Sequence, residues 1–267
     1  MARGKSSGPL RLFTIHKEKL FFIFAIFLFH FSVQAQPQTP SAPEPEKPPV
    51  AAEWQKAIDE NPNRVRRTPE EAFAGGLFQM GLKYLKGQDV PRDDKTAADL
   101  FRQAGERGDF RAQYYLARMY LQGHGVSRDP AEALKWYRQA AEKGHPLAQF
   151  NLGQLYRRGQ EVPMDYSESL KWYRESAKQG YPPAQLNLGA MYFEGLGVPK
   201  DPRESLKWYG RAAEQGEAIA QYNLGQMYLL GQGIQSDKNQ AVQWFRKAAR
   251  QGFEPAKKKL HSLGLDG

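Results

Sequence analysis

A tryptophan-aromatic pair returns along this chain at a fixed interval of 36 residues, with no insertion between copies. It reads Leu134-Lys135-Trp136-Tyr137, then Leu170-Lys171-Trp172-Tyr173, then Leu206-Lys207-Trp208-Tyr209. Val242-Gln243-Trp244-Phe245 is a weaker copy, and Asp99-Leu100-Phe101 the weakest. A period of this size means that one unit cannot bury its apolar face alone, so neighbours must stack. The expected fold is a solenoid. Its core is continuous along the array, and its surface is extended and suited to binding.

With Gly144 as a unit end, the units are 73–108, 109–144, 145–180, 181–216 and 217–252. Position 36 is glycine in all five, where a left-handed helix cap is expected. Position 21 is aspartate in all five: Asp93, Asp129, Asp165, Asp201 and Asp237. Aspartate accepts the free amides of a helix's first turn, so a second helix, B, is predicted over positions 22–35. Glu132, Glu168 and Glu204, three residues further on, complete a capping-box pattern. The first helix, A, is predicted over positions 2–14, with alanine, leucine and tyrosine at 4, 8 and 12 on one stripe. Glycine at position 9 (Gly153, Gly189, Gly225) points to close approach of a neighbouring helix. The Gly-x-Gly-Val segments, such as Gly195-Leu196-Gly197-Val198, read as turns: they follow a helix and lack a phosphate-loop lysine. Asp89 and Glu161 replace the second glycine in two units, so those turns are expected to differ locally.

These residues together resemble the Sel1-like repeat family, a relative of tetratricopeptide repeats. The matching stretches are Ala148-Gln149-Phe150-Asn151-Leu152-Gly153 before Tyr156, and Trp136-Tyr137-Arg138-Gln139-Ala140-Ala141-Glu142-Lys143-Gly144. The resemblance covers 73–252. It implies an all-α fold: a right-handed α/α superhelical solenoid of five 36-residue helix-turn-helix repeats with capping helices. It also implies a scaffold or adaptor role in protein–protein contacts. Cysteine-rich secreted members of the family were linked to β-lactam binding. This chain has no cysteine and no Ser-x-x-Lys pair, so that chemistry is not expected here.

Outside the repeats, residues 1–35 read as a secretory signal, with basic residues up to Lys19, an apolar run over Leu20–Phe31 and small Val33 and Ala35. An uncleaved anchor formed by 20–35 is the alternative; both readings export the remainder, to the periplasm or beyond. Residues 36–50 hold six prolines and read as an extended linker. Residues 51–72 are an N-terminal capping region in which Thr68-Pro69-Glu70-Glu71 forms a capping box, and 253–267 a C-terminal capping helix. The leader carries +4 of the formal +9 net charge, and the rest is no nucleic-acid footprint. Absence of cysteine excludes disulfides, thiolate metal sites and a cysteine nucleophile.

Catalysis has little material. His124, His145 and His261 stand at different repeat positions and read as surface residues, and the recurring carboxylates are explained as helix caps. No catalytic residue, metal or cofactor is expected. Binding has more. By analogy with related superhelices, helix A lines the concave side. Its outward strip holds Tyr115, Asn151, Asn187 and Asn223 at position 7, Arg118, Gln154 and Gln226 at 10, and Gln122, Arg158 and Glu194 at 14. The asparagines admit two readings: they hydrogen-bond an extended peptide backbone, or they tie adjacent helices together. On the other side Lys135, Lys171 and Lys207 with Arg138, Arg174 and Arg246 form a basic ridge. That ridge is either a solvated face or a contact for an anionic polymer. The sequence thus points to an exported, monomeric, non-enzymatic scaffold for a protein or peptide, with no nucleic acid and no membrane contact beyond the N-terminal segment. The alternative is a binder of peptidoglycan or lipopolysaccharide, or a regulator of a cell-wall enzyme.

Overall fold

The caps and stripes of each unit produce two antiparallel helices and a turn. The computed structural model describes residues 68–265, and among them are eleven helices and no strand. The A helices are α1 (Pro69–Lys86), α3 (Phe110–Gln122), α5 (Pro146–Arg158), α7 (Pro182–Glu194) and α9 (Ala218–Leu230). The B helices are α2 (Asp94–Glu106), α4 (Pro130–Glu142), α6 (Tyr166–Lys178), α8 (Pro202–Glu214) and α10 (Lys238–Arg250), and α11 (Glu254–Ser262) closes the array. Each helix packs on the next in the chain, giving the right-handed α/α solenoid. The expected leader 1–35, linker 36–50 and cap residues 51–67 lie outside the described residues. No helix among the described residues is long and apolar enough to cross a membrane.

All five aspartates cap. Asp93 Oδ1 accepts from the Lys95 and Thr96 amides at 3.0 Å each, and the other four repeat the pattern. A cap of this kind contributes about 1 kcal/mol. The capping boxes expected at Glu132, Glu168 and Glu204 do not form. The cap residue's own amide is already donated to the tyrosine carbonyl at the end of helix A, as in Asp165 N–H to Tyr156 O at 2.9 Å and Asp201 N–H to Tyr192 O at 2.8 Å. The glutamates turn outward instead. Glu168 and Glu204 accept the indole Nε1–H of Trp172 and Trp208 at 3.0 Å. At Thr68, whose amide is donated to Glu71 Oε2 at 3.0 Å, the box is complete in both directions.

The core runs along the seam between A and B helices. Phe101, Tyr137, Tyr173, Tyr209 and Phe245, from the B helices, are fully buried. The rings of Tyr173 and Tyr209 lie so close to helix A that a Cβ at Gly153 or Gly189 would come within 2.6 and 2.7 Å of them. That is why position 9 is glycine despite its cost of about 1 kcal/mol in a helix. In the turns, Gly197 has a φ of 66°, and a Cβ there would meet the Tyr166 carbonyl of the preceding unit at 2.5 Å.

 Such a residue must be glycine both for its left-handed backbone and for that contact. The two exceptions behave differently, as expected. Asp89 keeps a positive φ of 63°, whereas Glu161 leaves that region and pairs with Arg128.

A row of glutamines laces each unit to the one before it. Buried Gln113, Gln149, Gln185 and Gln221 donate from Nε2 to the carbonyls of Gly105, Ala141, Ala177 and Ala213, at 2.8–3.2 Å. Gln179, Gln215 and Gln251 then donate both to the preceding unit's end glycine (Gly144, Gly180, Gly216) and to Oε1 of Gln149, Gln185 and Gln221. Gln185→Ala removes two hydrogen bonds: its donation to the Ala177 carbonyl, which keeps only the Gly180 amide, and the one it accepts from Gln215. We expect it to lower the unfolding free energy by about 1–3 kcal/mol. Gln154→Ala, at the surface strip, should stay within about 0.5 kcal/mol of the parent. Urea denaturation of the two variants checks the contrast, and equal losses would contradict it.

Candidate partner-binding surface

The helix-A strip divides into two groups. Arg118 and Gln122 of α3 and Asn151, Gln154 and Arg158 of α5 line one cavity of about 210 Å³ between these helices. Leu121 and Leu155 supply its apolar wall, and Tyr137 reaches it from α4. Asn151 Nδ2 donates to the Tyr137 hydroxyl at 3.1 Å. Burial, reinforced by Tyr114, pushes that hydroxyl far above its ordinary range, so it stays neutral and keeps its own hydrogen to donate. Arg118 is half-buried, its guanidinium 5.8 and 5.9 Å from the ring centroids of Tyr114 and Tyr115.

The other expected strip residues are not gathered there. Tyr115 is a core residue, its ring stacked on Phe101 at 5.2 Å. Asn187 is buried; it accepts from Arg157 Nη1 and donates to the Pro183 carbonyl, each at 2.8 Å. Asn223 is buried beside the Tyr209 hydroxyl, and buried Gln226 donates to the Tyr222 hydroxyl at 3.1 Å. For these four the expectation of a ligand-facing side chain gives way. All four side chains are buried, and the amides of Asn187 and Gln226 are bonded within the array. Glu194 is exposed at the end of α7.

His145 corrects a second expectation. It is fully buried, with its ring stacked on Tyr114 at 4.6 Å and edge-on to Phe110 at 5.5 Å. Its place is position 1 of the unit, where Tyr181 and Phe253 stand in other units. Those rings meet Phe150 and Tyr222, the counterparts of Tyr114, edge-on instead of stacked, so His145 fills an aromatic slot. Burial pushes it down to about 3. His124 and His261 are exposed. Among the described residues no group of three or more histidine and carboxylate side chains is placed to hold a metal.

The basic ridge is half paired with carboxylates, and its arginines keep their charge. Lys135, Lys171 and Lys207 pair with Glu132, Glu168 and Glu204. Arg138 and Arg174 donate to the hydroxyls of Tyr156 and Tyr192 in the following units.

The geometry and the repeat pattern are matched by known proteins. The Sel1 repeat family model fits residues 74–109, 110–145, 146–181, 182–217 and 218–253. The chain belongs to the Sel1 repeat family. The family phase begins each unit one residue later than the division at Gly144. A Sel1 repeat protein from Oxalobacter formigenes is similar at 36% identity and a TM-score of 0.64, over 80% of this chain and 85% of that one. A protective antigen present in uropathogenic Escherichia coli strains, which displays the same type of fold, is similar at 35% identity and a TM-score of 0.69. That match covers 74% of this chain but spans only 43% of the Escherichia coli protein. No match was found among curated proteins. Within this Sel1 array the repeated positions are occupied by caps, rings and lacing glutamines. Positions 10 and 14 instead change from unit to unit, and at α3 and α5 they converge on the cavity.

Proposed function

We propose that this Sel1 repeat protein is an exported, non-enzymatic scaffold that holds a protein or peptide partner against its helix-A face. One observation carries the reading. Side chains that the repeat does not need for packing collect around a single opening between α3 and α5, and most of them are amides and arginines. Such groups suit hydrogen bonding to a polypeptide. The apolar run and small residues of 1–35 support export, and the protective-antigen description of the Escherichia coli relative fits it. Pairing of Lys135, Lys171 and Lys207 with glutamates weakens the ridge that favoured an anionic polymer as partner.

Photocrosslinking in the native host tests the proposal. A photoreactive residue at Gln122 or Gln154 should yield one discrete polypeptide adduct, and the same residue at Lys171, on α6, should yield none. Equal capture from all three positions, or capture from none, would sink the scaffold reading.

A further inference from the structure

Two arginines of the second unit are drawn inward, and they are supplied differently. Arg111 carries its own counter-charge, Asp109, and the two side chains are 4% and 1% exposed. Arg118, seven residues on, has tyrosine rings beneath it and no carboxylate partner among the described residues. Arginine is rarely buried unless it is paired. Across the cavity Arg158 also makes no ion pair among the described residues, and no aspartate or glutamate lines the opening. The amides beside it retain capacity. Asn151 gives one hydrogen to Tyr137 and keeps its carbonyl and second hydrogen.

We infer that the cavity receives the side-chain carboxylate of an aspartate or glutamate in an extended segment of the partner. Arg118 and Arg158 hold the carboxylate, and Asn151 and Gln154 pair with the backbone on either side. This rests on the scaffold reading above and names the chemistry that the scaffold selects. A planar carboxylate matches the two-pronged guanidinium better than a single point contact does. The volume of about 210 Å³ falls below the roughly 300–1,000 Å³ of sites that enclose a whole small molecule, which favours one side chain over a free ligand.

The test uses the full-length chain and side-chain Nε–Hε NMR of its arginines, with three probes: the blocked tripeptide acetyl-Gly-Glu-Gly-amide, its glutamine counterpart, and inorganic phosphate. The glutamate peptide should shift the Arg118 and Arg158 signals, and the glutamine peptide should bind about ten-fold more weakly or worse. R118Q should abolish the shift at Arg158. R158Q, at an exposed position, should weaken binding about ten-fold without changing the melting temperature, which separates recognition from folding. Equal binding of the glutamine peptide, or no shift at either arginine, overturns the inference. Displacement of the peptide by an equal concentration of phosphate also overturns it, since it marks a general anion site. A crosslinked partner without a glutamate-dependent shift would sink this inference alone, and a missing crosslink would sink the scaffold reading itself.

Discussion

Tyr209→Ala is expected to lower the unfolding free energy by about 3–5 kcal/mol, the range for removing a large buried ring. Tyr209 is fully buried and fills the contact with Gly189 at which even a Cβ would be too close. No nearby side chain can fill the space from the glycine side. Because a solenoid's units are coupled mainly to their neighbours, the loss should also broaden the transition, with the units around α8 melting first. Tyr209→Phe should behave in the opposite way. The hydroxyl is buried without a hydrogen bond of normal geometry, and Phe245 already occupies the equivalent place in the last unit. That variant should be neutral or up to about 1 kcal/mol more stable. Urea titrations followed by circular dichroism and by tryptophan fluorescence measure both. Similar destabilisation by alanine and phenylalanine would show that the hydroxyl, and not the ring, matters.

The second large effect is pH-dependent and comes from His145. In the unfolded chain the imidazole titrates near 6.5, whereas burial holds it at about 3 in the fold. Asp109 opposes that shift and Arg111 adds to it. The neutral ring is the form that packs. Its Nδ1 accepts from the Ala148 amide at 3.3 Å, and its Nε2 has no partner. A depressed folded-state value means that below about pH 6.5 the unfolded chain takes up a proton that the folded chain refuses. Stability is therefore lost as pH falls towards about 3, at up to roughly 1.4 kcal/mol per pH unit. Exposed carboxylates titrate in the acid part of this window too, so the comparison must be with a variant. His145→Phe places in the slot a ring that Phe253 shows to be tolerated one array end away. The parent should lose about 2 kcal/mol more than the variant between pH 7.5 and pH 5. Parallel profiles would mean that His145 is protonated in the fold after all.

Much of this architecture can be read from the chain. The aspartate caps and end glycines place helix A at positions 2–14 and helix B at 22–34, one residue short of the expected end, because the residue at position 35 serves as the C-cap. What the period does not reveal is which neighbour claims each hydrogen bond. Glu168 has the spacing of a capping box, but the amide it needs is already given to Tyr156. Gln149 recurs as regularly as any cap, yet its role depends on a carbonyl in the previous unit. His145 shares its residue type with the exposed histidines but its repeat position with aromatic rings. Tyr181 and Phe253 at that position are the signal in the sequence that marks it as core. The same applies to the binding strip. Helical spacing places Asn187 and Asn151 on one face, but only the stacking of neighbouring units decides that the first is covered and the second borders an opening.

The glutamine row makes the two edges of the array mechanically unequal. Where helix B passes into the next helix A, glutamine hydrogen bonds of 2.8–3.2 Å span the four seams between the five units. At the opposite edge the units meet through glycine turns resting on backbone, as Gly197 does on Tyr166, and the Arg128–Glu161 pair joins one seam without recurring as the glutamine bonds do. The superhelix is therefore stiff to extension along one margin and compliant along the other. Force applied along its length would change its curvature before its contour, and the pitch would open on the glycine side while the laced side acts as the hinge line.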